Sequence, residues 1–361
     1  MTVATAAMVE AMSARNAEAF GFLFAEFFTD PNIVTHAPGY QGFGGQLDID
    51  VAIDFGSSPL TSNIGISVQN VINTWNGLQP TVENLVPFGS NNLLRPGQQD
   101  FESVLLHEMG HALGLDHPNL ASESGLPRAD QDYTQSFVGL NGSFDLNPGA
   151  DGVIGSADDL RNDDINANFF RIADNDPFDP VLGVVDSTTY STDLSLLPAG
   201  DTFSANADRT VSAVSGYGMT EAVMQQLAFA GETQRTLGAD DVAGIRYAQS
   251  GLDQIQGTVD DYFINLMLVD IVEDADIVIG FSESVSFAAA ATGGAQFNFF
   301  PQSTVVTSAD LLFNPNFDWF FNDVPNGAAV PVPAPLALLL GALGSFALVQ
   351  RRGRRSEIAL A

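Results

Sequence analysis

The chain has 361 residues and is 45% hydrophobic, enough for a substantial core, which excludes an intrinsically disordered protein. Its formal net charge is −32, from 44 acidic and 12 basic residues, and the basic residues are all arginine; such a body repels nucleic acid and anionic membrane surfaces. Cysteine is absent, which excludes disulfides, cysteine metal ligands and a cysteine-based latch, and leaves the redox compartment unread.

Residues 1–28 contain MVEAMSARNAEAFGFLFAEFF, an Ala- and Phe-rich run that predicts a helix. It does not read as a secretory leader, because Arg15 is its only basic residue and Glu10 and Glu18 interrupt the apolar run. His36, in THAPGY, reads as an ordinary surface or loop histidine, with no second ligand cluster around it. The stretch DIDVAIDF (48–55) alternates acidic and apolar side chains, as a half-buried strand does. Ile64, Val68, Val71, Ile72 and Trp75 then recur at helical spacing after Ser62, a candidate cap, with Trp75 expected in the core. A loop with Pro87, Gly89 and Pro96 follows over 84–99, and Asp100 is placed to cap a second helix.

From Pro118 to about residue 205 the chain is rich in Asp, Asn, Gly and Pro, too long for an ordinary connection. Order resumes over 211–226 and in a helix within LGADDVAGIRYAQSG (237–251), where Val242 and Ile245 form the apolar face and Gly251 could end it. Residues 262–322 read as strands, including DIVIGF (276–281) and ending in FDWFF (317–321). The tail carries VPVPAP (330–335), the apolar run LALLLGALGSFALV (336–349) and an arginine cluster, Arg351, Arg352, Arg354 and Arg355.

Three of the four histidines fall within HEMGHALGLDH (107–117). On a helix, residues four apart share a face, so His107 and His111 can point at one ion. Glu108, rotated by about 100°, can reach a water on that ion. Gly114 can take a left-handed conformation that turns the chain and returns His117 as a third ligand. Three neutral imidazoles leave a tetrahedral zinc ion one open position, as in catalytic sites. Such an ion acidifies water and polarises a carbonyl, and Glu108 is the matching general base. The alternative is an amphipathic helix with satisfied histidines, which five matched positions in one window make unattractive.

These residues match HExxHxxGxxH, so the segment resembles the signature of the metzincin zinc proteases. The family carries a Met-turn beneath its zinc; TEAVMQQ (220–226) is similar to it, with Met224 as its methionine. The helix within 237–247 resembles the one that closes matrixin and serralysin catalytic domains. The resemblance implies an α+β fold with a twisted, mostly parallel sheet and two long helices. The domains expected are an N-terminal segment of unclear role (1–47), a catalytic domain (48–250) with an insertion at about 119–205, a β-rich appendix (251–327) and a tail (328–361).

Within the insertion, Asp145, Asn147, Asp151, Asp158 and Asp159 could converge on calcium, with Gly149, Gly152 and Gly155 allowing the turns; the alternative is a solvated acidic loop. The tail resembles a PEP-CTERM-type sorting signal in its VPxPA form. That implies export, an exosortase-like processing enzyme as partner, transient attachment to the inner membrane, and a periplasmic, cell-surface or extracellular body. A plain membrane anchor is the alternative. The function expected is hydrolysis of extracellular proteins and peptides by a zinc endopeptidase. The rivals are a non-catalytic, calcium-stabilised surface or matrix protein that keeps the fold, and a metal hydrolase acting on other substrates.

Overall fold

The alternating stretch around residue 50 becomes an inner strand of a seven-stranded sheet. The computed structural model describes residues 5–9, 20–23, 33–117, 168–170, 183–193, 209, 217–225, 229–299 and 302–326. In chain order the sheet strands are β1 (Thr5–Val9), β2 (Val34–His36), β3 (Gly45–Ile53), β4 (Tyr262–Val269), β5 (Ile277–Phe281), β6 (Ala289–Phe299) and β7 (Gln302–Phe313). Three α-helices stand among the described residues: α1 (Gly65–Gly77), α2 (Phe101–Ala112) and α3 (Ala239–Gln249).

The sheet order is β1-β6-β7-β5-β3-β4, with β2 also beside β7. β3 runs parallel to β4 and β5, and β7 runs parallel to β5 and β2. Only β6 opposes its neighbours, β7 and β1. The result is a mixed α/β fold with a mostly parallel sheet. Ile49, Val51 and Ile53, which share one face of β3, are buried together with Ala52, whereas Asp48 on the opposite face is exposed and Asp50 half-buried, so the strand is covered chiefly on one face, as its alternation predicts.

This arrangement corrects the expected domain plan. Residues 251–327 are not an appendix, and 48–250 is not a self-contained domain. Within 48–250 the sheet has only β3, which begins just before it; β4 to β7 come from beyond residue 250. The reason is backbone pairing: β3 takes its two ladder partners from β4 and β5, and without them its amides and carbonyls would be buried unpaired. The segment 1–47 also joins the fold through β1, β2 and the start of β3. The helix expected over 8–28 is absent where described: Met8 and Val9 lie in β1, and Gly21–Phe22 pair as a short strand with Leu115–Asp116. Ladder bonds to these neighbours outweigh the modest helix preference of Ala and Phe.

Helix α1 buries Val68, Val71, Ile72 and Trp75, and the Trp75 indole N–H donates to the Leu106 carbonyl at 3.1 Å. Ser62 does not cap it. Ile64 takes the N-cap position, and Ser58 instead caps a short 3₁₀ turn, Pro59–Asn63. Asp100 caps α2, accepting from the Ser103 amide, and Gly251 follows α3 at φ +76°. His36 is not a surface histidine. It is fully buried in β2, its ring 4.5 Å from that of Tyr40 and its Nδ1 3.4 Å from the Tyr262 hydroxyl.

The chain divides into two units, Met1–Asn326 and Gly327–Ala361. Every described residue lies in the first, so the tail falls outside the described residues. Among those described, no helix is long and apolar enough to cross a membrane. Near the end of the first unit, Asn322 and Asn70 both donate to the buried Glu102 carboxylate, and Asn326 bonds to Asn70. These contacts tie residues 322–326 across α1 and α2.

Two outcomes follow. A chain ending at residue 250 will show no cooperative thermal unfolding, whereas one ending at residue 326 will melt like the full chain. Burial lowers the His36 pKa to about 4, against 6.5 in the unfolded chain. The unfolded state therefore takes up a proton first, and stability is lost as pH falls from about 6.5 toward 4, by roughly 3 kcal/mol in all. His36→Phe will lessen the pH dependence of the urea midpoint over that window without abolishing it, because His107, His111 and His117 are held below 6.5 as well.

Candidate metal centre

Phe101, the first residue of α2, anchors the helix. Its ring packs on Phe313 at 4.6 Å and on Phe281, Trp319 and Phe321 between 5.4 and 5.9 Å. Asp100 is itself held by a two-pronged ion pair with Arg235, at 2.6 and 2.9 Å. Thus α2 is fixed at the end from which it projects His107 and His111.

At the other end, Gly114 has φ +104°, outside the range that side chains favour. A Cβ there would also lie 2.5 Å from the Thr35 carbonyl oxygen. Only glycine meets both demands, and the turn it makes brings His117 back toward α2. The Gly114 carbonyl accepts from the Leu23 amide, so the N-terminal part of the chain braces the turn.

The three rings converge as the motif predicts. The Nε2 atoms of His107 and His111 each lie 3.1 Å from Nε2 of His117. A tetrahedral ion with bonds of about 2.0–2.1 Å would hold its donors roughly 3.3 Å apart, so the spacing suits one ion. The opposite nitrogens are also placed. His107 Nδ1 lies 2.7 Å from the Val223 carbonyl oxygen, and His111 Nδ1 lies 2.9 Å from that of Leu115. Each Nδ1–H donates to a carbonyl, which turns the Nε2 lone pair toward the cluster.

Burial, reinforced by the neighbouring rings, holds the His117 pKa well below 6.5 and that of His107 at about 3; burial holds His111 at about 4. The rings are neutral at ordinary pH, the state a metal ligand needs. The triad could therefore hold a metal ion, and among the described residues it is the only such group of three. Glu108 is buried beside His107 on α2, 7% exposed.

The 220–225 segment lies against this helix. Met224 is buried, and a Cβ on Gly110 would fall 2.1 Å from its sulfur, so a glycine one residue before His111 lets the methionine reach the helix. Two residues that the motif does not reveal hold this segment. The Asp241 carboxylate accepts from the amides of Val223, Met224 and Gly238, at 2.7–3.0 Å. Asn84 donates to the Glu221 carbonyl and accepts from its amide. Asp241 is in the first turn of α3, where acids cap helices; that was the available signal. Burial raises its pKa to about 6 against the pull of the three amides. Asn84 gives no such signal.

A cavity of about 30 Å³ adjoins His107, lined by Ser103, Arg209, Glu221, Gln225 and Phe229 among others. Arg209 bonds to Glu221 through Nε and Nη2 and to Glu232 through Nη1. The cavity therefore has a polar wall beside the histidines. The calcium candidates Asp145, Asn147, Asp151, Asp158 and Asp159 lie outside the described residues. Among known proteins, no family model, no curated protein and no solved structure matches the chain.

Asp241→Asn keeps one acceptor and replaces the other with a donor facing amides. The expected outcome is metal affinity weakened 10- to 100-fold in a chelator competition titration, because Val223 no longer orients His107.

Proposed function

We propose that this chain is a zinc-dependent endopeptidase. The observation that carries the reading is the convergence of three neutral imidazole nitrogens with a carboxylate one residue from the first. Three nitrogen donors in tetrahedral spacing suit zinc and leave one position open. Zinc held there supplies Lewis-acid chemistry, acidifying water and polarising a peptide carbonyl.

The chain's own groups do the rest. His107, His111 and His117 hold the ion. The Val223 and Leu115 carbonyls orient two of those rings. Glu108 takes the proton of the attacking water and returns it to the leaving amine. A binding module would need the histidines but would have no use for that base. The resemblance of the 328–361 tail to a sorting signal supports an exported, surface-held enzyme acting on extracellular proteins.

Purified full-length chain is expected to contain one zinc per molecule, to cleave casein, and to lose activity to a chelator and recover it with zinc. Glu108→Gln should keep the metal and lose at least a thousandfold in kcat/KM. Stoichiometric zinc with no cleavage of any peptide-library member would instead favour a non-catalytic matrix protein.

A further inference from the structure

The cavity beside His107 runs along one side of α2, since Ser103, Val104 and His107 all line it. Ser103 stands one helical turn before His107, about 6 Å along the axis, which an extended peptide covers in roughly two residues. A peptide bound at the histidines and laid over this cavity therefore meets its rim within two residues of the cleaved bond. At about 30 Å³ the cavity has room for about two waters and none for a large side chain. Its charged wall is already engaged, with Arg209 held between Glu221 and Glu232 at 2.7 Å from each.

The rim is apolar. Phe229 lines the cavity and is still 37% exposed, so it stands where the cavity meets the surface. Phe88 is 61% exposed, on the segment that follows Leu85–Val86, and Leu85 lines the same cavity. Single exposed apolar side chains are ordinary, but these two rings are each fixed by a particular neighbour. The Arg209 guanidinium carbon lies 5.3 Å from the centre of the Phe229 ring. Phe88 rests on Gly231, where φ is +87° and a Cβ would fall 2.5 Å from a ring carbon, so only glycine admits the ring. Phe229 and Gly231 belong to one turn, closed by the Glu232 amide donating to the Phe229 carbonyl at 3.2 Å. Rings already fixed lose little freedom when a ligand covers them, which favours binding on them.

We infer that Phe229 and Phe88 are specificity-determining residues: they form an aromatic platform at the rim of the cavity that seats a large apolar side chain of a peptide substrate, within two residues of the cleaved bond. The inference rests on the endopeptidase reading and names its substrate class, peptides with a residue such as Leu at that place. An acidic residue there would instead face Glu221 and Glu232, two charges that Arg209 balances only in part.

The test uses full-length protein of measured zinc content and quenched fluorescent peptides carrying Leu, Ser or Asp at each of the two positions on either side of the cleaved bond. At one of these positions the wild type should cleave the Leu peptide with at least tenfold higher kcat/KM than the Ser peptide, chiefly through KM, and the Asp peptide more slowly still. Phe229→Ser and Phe88→Ser, both at exposed positions, should keep zinc and reduce that Leu-to-Ser ratio at least threefold. Phe229→Leu and Phe88→Leu should restore most of it. A merely structural role would slow both peptides alike and leave the ratio where it was. A wild type with no Leu preference at any of these positions, or a ratio unchanged in either serine variant, overturns the inference and leaves the endopeptidase standing. No cleavage of any peptide by the wild type overturns the endopeptidase reading, and this inference with it.

Discussion

Three uncharged imidazoles face one another at about 3 Å, and the rest of the site is arranged around that confrontation. Lone pairs turned toward a common point repel, and burial denies them the protons that would relieve the repulsion. Only a fold that fixes each ring from behind can sustain this before a cation arrives. The Val223 and Leu115 carbonyls do so for His107 and His111, and the Gly114 turn does so for the path to His117. Asp241 extends the same logic one layer outward. It gathers three amides, including that of Val223, so the carbonyl behind His107 cannot drift.

The support for this centre comes from both ends of the chain. Phe101, which anchors the histidine helix, packs on Phe281, Phe313, Trp319 and Phe321, all later in sequence. Leu23 and Thr35, which brace the turn at Gly114, come before it. The motif takes its support from segments on both sides of it in sequence, and the sheet beneath it forms only when distant segments meet. The resulting long-range pairing carries a loop-closure cost, offset by the burial of Ile49, Val51, Ala52 and Ile53 of β3.

Much of the site was legible because its geometry is local. A spacing of four residues on a helix, followed by a glycine and a third histidine, leaves little freedom, and His107, His111, Gly114 and His117 stand as that spacing implies. Trp75, the Asp100 cap, α3 and its Gly251 terminus were legible for the same reason, since helix faces and caps are read within a few residues. Other expectations failed where local preference met a distant partner. Met8, Val9 and residues 20–23 suggested a helix, yet β6 and Leu115–Asp116 offered unpaired backbone. His36 suggested a surface loop, yet Tyr40 and Tyr262 enclose it.

By itself, then, the amino-acid sequence determined the histidine constellation that could hold a metal ion, the helix that carries it and the absence of any thiol chemistry, because each depends on residue type and short-range spacing. Only the tertiary structure decided that strands beyond residue 250 complete the sheet, that Asp241 and Asn84 hold the Val223–Met224 turn, and that Thr5–Val9 pair with β6. These are pairings between segments some 20 to nearly 300 residues apart. Strand partners are chosen by which edges remain open after collapse, and no local pattern records that choice.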